Sequence, residues 1–322
     1  YFTNYFRRMG CRIAKRNVIS NVIVLLVLLI LIHYLMKDYL TQRNPILGIP
    51  HVPFSYNQSL VTGGRNDSHG SKSIFIIGIL SQDSQKELRE ALRHTWIPLL
   101  RKDLPLTVEY TFLLDNPTPE TLSELRTNQD IVFLNSSYSG YAVRFGEKMY
   151  KWFRYVTEHY ADATLVAKMD DDVFLCVNKM LQRLSNLKHR RLYYGWQHNK
   201  EYMQIDEMFV VLGMDLVLRI TQRKYCYSER SQCNNKSELV DEGWGGKSIG
   251  LWLSIYEDVL TFPDNQKIIY FNRVMKPPID IRKEENFCQK YLLYHKASAS
   301  DMFFLHNRIS ADEINEISNA TV

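Results

Sequence analysis

A chain of 322 residues is long enough for one sizeable folded domain with appendages, or for two small ones. Hydrophobic content of 45% and charged content of 23% are those of an ordinary globular protein. The formal net charge of +5 rests on Arg7, Arg8, Arg12, Lys15 and Arg16; the rest carries 35 basic against 35 acidic residues, so composition offers no basic face for nucleic acid.

Those five cations precede an apolar run, Val18–Met36, that is unbroken from Val22 to Ile32. About 19–20 residues is what a helix needs to cross the hydrocarbon core of a bilayer. The run ends in His33-Tyr34-Leu35-Met36-Lys37-Asp38, which offers no small-residue cleavage site. The sequence therefore predicts a single transmembrane signal anchor over 17–36, with a cytoplasmic tail at 1–16 and everything downstream luminal. Because the chain opens on Tyr1 rather than Met, a few residues are expected to precede it.

Residues 37–72 read as a stem, broken by Pro45, Pro50, Pro53 and four glycines, with no apolar periodicity. Such a composition buries too little surface to offset the entropy of ordering. Acceptor tripeptides for N-glycosylation begin at Asn57, Asn66, Asn135, Asn235 and Asn319, all on the side expected to be luminal. On that side lie Cys176, Cys226, Cys233 and Cys288, an even set compatible with two disulfides in any of three pairings.

From Ser73 the pattern alternates strand and helix. Ser73–Leu80 is an apolar strand, and Ser84-Gln85-Lys86-Glu87 fits a capping box opening a helix with Leu88, Ala91, Leu92 and Thr95 on one face. Strands are expected at Val108–Leu114 and Ile131–Leu134, then a helix Gly146–Tyr160 whose Met149, Trp152, Phe153 and Val156 recur at core spacing. A buried strand Thr164–Lys168, a helix near Val177–Leu187, and strands near Leu192–Gly195 and Met208–Leu212 follow. The alternation implies a mostly parallel α/β sheet covered by helices on both sides.

Three features carry chemistry. Asp170, Asp171 and Asp172 cluster where the buried strand runs out, and like charges so close call for a cation among them. Hard divalent metals such as Mg²⁺ or Mn²⁺ take carboxylate oxygens and keep positions open for phosphate. In open α/β sheets, ligands bind beyond the carboxyl ends of the strands. Arg89, Arg93 and Trp96, at i, i+4 and i+7, would line two guanidinium forks and an indole along one helix face. Downstream, Asp241-Glu242-Gly243-Trp244-Gly245-Gly246 places two acids in a Gly-rich loop that could bring a carboxylate to a sugar hydroxyl.

With these residues in view, Leu88-Arg89-Glu90-Ala91-Leu92-Arg93-His94-Thr95-Trp96 resembles the R-x-x-x-R-x-T-W signature of the β-1,3-galactosyltransferase family, glycosyltransferase family 31. Lys168-Met169-Asp170-Asp171-Asp172 resembles its K-x-D-D-D, and Ser248-Ile249-Gly250-Leu251-Trp252-Leu253 its S-L-G-x-W-L. Arg190–Gly195 and Cys288–Lys296 look like segments of the member that adds a galactose in the proteoglycan linkage region. The resemblance runs from about Ser73 to Met302 in the same order.

It implies a GT-A-like (Rossmann-like) fold over a catalytic domain at 73–310, with 311–322 as a C-terminal tail. It further implies a UDP-sugar donor, Mn²⁺, a glycoprotein, glycolipid or proteoglycan acceptor, and a Golgi membrane location. Asp172 and His295 become the implied metal ligands, with His306 in reserve. Asp170, Asp171, Arg89, Arg93 and Trp96 fall to the nucleotide side. The sequence departs from the family at two places. The acidic E-D-V that precedes S-L-G, whose Asp serves as base, is here Gly245-Gly246-Lys247, leaving Asp241 and Glu242 as the candidate bases. The usual Gly-Gly-Gly-Tyr is missing around Val210–Met214. The function implied is inverting transfer of a hexose, galactose first, to form a β-1,3 linkage. The alternative is a luminal glycan-binding or scaffold protein that kept the fold without the chemistry.

Overall fold

A computed structural model describes residues 73–101, 104–136, 145–199, 204–225, 245–271 and 279–319. The apolar run at 17–36, the stem, Asn57, Asn66, Asn235, Cys226, Cys233, Asp241 and Glu242 lie outside them. Among the described residues no helix is long and apolar enough to cross a membrane.

The first half alternates strand and helix, as expected except for α2, which the sequence had not indicated: β1 (Ile74–Leu80), α1 (Lys86–His94), β2 (Thr107–Leu114), α2 (Pro119–Asn128), β3 (Ile131–Phe133), α3 (Phe145–His159) and β4 (Leu165–Asp170). Then come β5 (Val173–Leu175), α4 (Val177–Ser185), β6 (Leu192–Asn199), β7 (Gln204–Gly213) and α5 (Met214–Thr221). The last part holds α6 (Gly245–Leu253), β8 (Leu260–Pro263), β9 (Ile268–Ile269), α7 (Phe287–Lys290), β10 (Leu293–His295) and α8 (Ala299–Asn319).

Seven strands form the main sheet in the order β3-β2-β1-β4-β7-β6-β8. Only β7 runs against the others, so the sheet is mostly parallel. Successive side chains of a strand point to opposite faces, and β1 divides accordingly. Phe75, Ile77 and Ile79 join one core with Leu92, Trp96, Met180 and Leu305; Ile76 and Leu80 join another with Met149, Trp152, Phe153 and Trp252. Helices thus cover both faces, and the four residues of α3 expected to pack inward are fully buried. Gly78 makes room for one of them. A Cβ there would lie 2.5 Å from the Trp152 ring, whose Nε1 donates to the Ala167 carbonyl at 3.0 Å.

A second sheet, β5-β10-β9, was not foreseen from the sequence. Its strands are two or three residues long, too short to show a period. Cys176, at the end of β5, is bonded to Cys288 in α7, which selects one pairing among the three left open.

Three expectations need correction. Ser84 does not cap α1: it lies within a 3₁₀ turn, Asp83–Gln85, and the helix begins after Gln85 without a side-chain cap. The capping box that does form is at α2, where Thr118 and Thr121 exchange hydrogen bonds. Gly245 and Gly246 belong to the first turn of α6 rather than to a loop. The last helix also runs on to Asn319, past the boundary expected at 310.

Candidate active site

The acidic triplet lies where the apolar strand β4 ends. Leu165 to Met169 are buried between β1 and β7, and Asp170 is the first partly exposed residue. The chain turns through Asp171 and Asp172 and enters β5, which pairs antiparallel with β10 in the register His295↔Val173. That register, with the Ala297 N–H donating to the Asp172 carbonyl at 2.9 Å, brings His295 against the triplet across a long stretch of sequence.

Asp170, Asp172 and His295 form a group whose ligand atoms lie within 4.8 Å of one another. Each carboxylate spends one oxygen on a lysine: Lys168 Nζ donates to Asp170 Oδ1 at 2.5 Å, and Lys296 Nζ to Asp172 Oδ2 at 2.7 Å. The other oxygens face the imidazole, with His295 Nε2 3.9 Å from Asp170 Oδ2 and 3.5 Å from Asp172 Oδ1. Ligands about 2.1 Å from one octahedral cation stand roughly 3 Å apart, so a modest contraction would seat an ion.

The chemistry of the donors agrees. Asp172 Oδ1 and both ring nitrogens of His295 are buried without a hydrogen-bond partner. Burial pushes His295 down to about 4, outweighing the opposing pull of Asp172 and Asp170, so near neutral pH the imidazole keeps a free lone pair. Two carboxylate oxygens and one imidazole fit a divalent metal between hard and borderline, such as Mn²⁺. His306 is not part of this group.

Asp171 faces inward. Its Oδ2 accepts from the Ser81 hydroxyl at 2.6 Å, and Ser81 Oγ in turn accepts from Arg89 Nη1 at 2.9 Å. Burial, with Asp172 and Asp170 adding to it, pushes the Asp171 carboxyl up to about 7 despite the Ser81 bond. Arg89 is wholly buried and forked onto Glu124 through Nε and Nη2 at 2.8 and 2.7 Å. Arg93 binds Asp130, Glu124 and Glu90. Because α1 ends at His94, Trp96 belongs to the next turn; fully buried, it donates Nε1 to the Val173 carbonyl at 3.3 Å. The sequence trio is therefore largely buried beneath the turn: Arg89 reaches Asp171 through Ser81, and Trp96 bonds to Val173, the residue after the triplet.

Other groups around the cluster were missed in the sequence. Asp206 and Glu207 lie on β7, and the Lys168 ammonium that holds Asp170 also donates to the Glu207 carbonyl at 2.6 Å. Burial first, and Glu207 second, push Asp206 up to about 7. Tyr270 lies 5.5 Å from the His295 ring and stacks on Trp196 at 4.2 Å, giving the cluster an aromatic neighbour. The one available signal was two acids opening an otherwise apolar strand. The candidate bases Asp241 and Glu242 lie outside the described residues.

A mostly parallel sheet between helices, with a carboxylate–histidine group at the end of a central strand, is the Rossmann-like α/β arrangement that the sequence resemblance implies. Residues 87–227, which run from α1 past β7 and include the whole triplet, match the family model described as galactosyltransferase. The match agrees with the sequence resemblance, and glycosyl transfer is the class of reaction it supports.

Among curated proteins none matches the chain. Similar solved structures include the apo-form glycosyltransferase GlyE of Streptococcus pneumoniae TIGR4, 12% identical over 62% of this chain and 46% of that one, with a TM-score of 0.35. The present chain thus spans about half the length of GlyE. A glycosyltransferase involved in glycosylation of the major capsid of PBCV-1 is 9% identical over 71% of this chain and 96% of that one, with a TM-score of 0.39. The bifunctional glycosyltransferase WbbM is 10% identical over 73% and 47%, also at 0.39. Likenesses at these scores carry nothing about the site.

Proposed function

We propose that this protein is an inverting, metal-dependent hexosyltransferase that moves a sugar, galactose in the first place, from a UDP-sugar to a glycan hydroxyl in a β-1,3 linkage. The observation that carries the reading is the set of buried, unpartnered ligand atoms on Asp172 and His295, facing Asp170 in a galactosyltransferase-type segment. A bound Mn²⁺ would offset the charge that builds on the diphosphate as it leaves. Asp170, Asp172 and His295 would hold it, while Lys168 and Lys296 fix the carboxylates so that their free oxygens converge. Ser81 and Arg89 hold Asp171, and with it the turn, from beneath. The acceptor oxygen attacks the anomeric carbon opposite the departing UDP, so an α-linked donor gives a β-linked product.

The apolar run at 17–36 and the acceptor tripeptides support a Golgi membrane protein of type II topology with the folded part luminal. Asn135 is exposed, and the Cys176–Cys288 bond suits an oxidising compartment. The glycines at 245 and 246, in place of acids, favour a second reading: a glycan-binding protein without turnover.

One experiment separates the two. With Mn²⁺ and a panel of UDP-sugars, the enzyme releases UDP, and both Asp172→Asn and His295→Ala lower that rate by at least about 100-fold, the equivalent of several kcal/mol. Saccharide binding with no UDP release from any donor would instead establish the second reading.

A further inference from the structure

A pyranose is polar at its hydroxyls but presents C–H groups on its ring faces. An aromatic ring takes such a face, because its π surface is negative and the C–H hydrogens are slightly positive. A saccharide site is thus built from a partly exposed flat ring with hydrogen-bonding groups at its rim.

The sheet brings such a ring to the Asp170–Asp172–His295 group. β7 runs antiparallel to β4 and β6 antiparallel to β7, so the end of β6 lies at the same edge of the sheet as Asp170. Trp196 stands there half-buried, whereas Trp96, Trp152 and Trp252 are wholly buried. Tyr270, just after β9 and also half-buried, makes the connection. Its ring lies 5.5 Å from that of His295, and Trp196 stacks on it at 4.2 Å with the planes 16° apart. The Tyr270 hydroxyl is bonded to Asp206, which fixes the ring. His198 is exposed and lies 5.5 Å from Trp196 and 6.1 Å from Tyr270, a polar edge to the apolar surface.

The backbone beneath Trp196 is clamped. A Cβ at Gly195 would come 2.5 Å from the Phe209 carbonyl oxygen, so β6 and β7 meet too closely there for any side chain. Their register shifts on both sides of Gln197, and such bulges bend a strand and re-aim its side chains. Asn265 grips the next residue: its Oδ1 accepts from the Gln197 N–H at 2.8 Å and its Nδ2 donates to the Gln197 carbonyl at 2.9 Å. The Asp264 N–H donates to the Gly195 carbonyl at 3.0 Å, and the Asp264 carboxylate is held by Arg183 and the Tyr194 hydroxyl. An indole that only covered the core would need apolar contact, not a pinned backbone.

We propose that Trp196, backed by Tyr270, is the platform on which the acceptor sugar stacks; the word acceptor rests on the transferase reading just given. In an open α/β sheet the nucleotide crevice falls where the strand order reverses, here between β1 and β4. β6 is two strands beyond β4, about 10 Å along the sheet. A pyranose on Trp196 therefore lies on the far side of β4 from that crevice, the side left for the acceptor.

The test uses the full chain with Mn²⁺ and UDP, and follows binding of methyl β-galactoside, methyl β-xyloside and methyl β-N-acetylglucosaminide by saturation-transfer NMR. The wild type is expected to bind at least one, with the C–H protons of one ring face taking the strongest transfer. Trp196→Leu keeps apolar cover over the core and is expected to weaken that binding about 10-fold. In turnover it should raise the acceptor KM to the same extent, with the UDP-sugar KM and Tm close to wild type. Trp196→Phe keeps a smaller ring and should fall between the two, which decides the matter if the leucine variant misfolds. Wild-type acceptor binding in both variants, a loss that falls on the UDP-sugar KM instead, or a UDP-releasing wild type that binds none of the three glycosides would overturn the platform and leave the transferase reading standing. Glycoside binding that depends on Trp196 in a protein releasing no UDP from UDP-galactose, UDP-N-acetylglucosamine or UDP-N-acetylgalactosamine would overturn the transferase reading and leave the platform as a glycan site.

Discussion

Arg89 holds a full charge with no solvent exposure, and this is stable only because Glu124, Ser81 and the Gln82 carbonyl take up its donors. Burial alone would push Glu124 up, but hydrogen bonds from Arg89 and Arg93 outweigh it and hold that carboxyl below its ordinary value. Replacing Arg89 with Met would leave Glu124 buried with half its partners gone and remove the donor that holds Ser81 against Asp171. Urea unfolding of Arg89→Met is expected to show a loss of about 3–5 kcal/mol, the usual cost of breaking a buried pair from one side. Arg89→Lys should recover only part of it, since one ammonium cannot fork onto a carboxylate and reach Ser81 as well. The sequence showed that Arg89, Arg93 and Trp96 belong together but not why. Their spacing is the same whether a helix face meets solvent or a buried acid, and Glu124 and Asp130 lie 35 and 37 residues downstream of the arginines they bind.

The strand β7 mixes a fully apolar stretch with two acids at its start, and the acids set a pH dependence that the apolar part does not have. Asp206 has an ordinary value of 3.8 and is pushed up to about 7, chiefly by burial and then by Glu207. A group raised on folding favours the folded state fully below its unfolded value, and that contribution is lost as pH climbs through the folded value. Between about pH 4 and pH 7 the wild type should therefore lose stability that Asp206→Asn keeps. The Tm of the variant relative to wild type is expected to rise across that window, by the equivalent of roughly 1–3 kcal/mol, and to be flat above it. The disulfide Cys176–Cys288 closes a loop of sequence separation 112 between β5 and α7. Cys288→Ser should cost about 2–5 kcal/mol, read as a lower urea midpoint under oxidising conditions and no difference from wild type under reduction. Long or strongly periodic elements, such as β1, α3 and β4, were legible because their apolar spacing is local. The strands β5, β9 and β10 were not, since they are two or three residues long and β5 finds β10 across more than a hundred residues, and α2 was missed because its box uses Thr121 where a glutamate or glutamine is the usual signal.

At the scale of the whole chain the Asp170–Asp172–His295 group is a joint between two sheets. Asp170 ends a central strand of the seven-stranded sheet, while His295 ends β10 of the small one, and the turn through Asp172 passes from the first to the second. An ion held by all three would tie the sheets together in the folded state alone, because the unfolded chain has no means of bringing residue 295 to residue 170. Ligand that binds only the folded state stabilises it by RT ln(1 + [L]/Kd), about 2.7 kcal/mol at one hundred times the dissociation constant. For a domain of this size that corresponds to a Tm rise of roughly 5–10 °C. Thermal unfolding with increasing Mn²⁺ should show such a rise, and Asp172→Asn and His295→Ala should each remove it without acting through turnover. The lysines supply an internal control. Lys296→Met frees Asp172 Oδ2 from its ammonium, so it should lower the melting point without metal and widen the gain when Mn²⁺ is added. A Tm indifferent to Mn²⁺ in the wild type, with the same lysine variant merely less stable at every concentration, would mean that Lys168 and Lys296 alone balance the triplet.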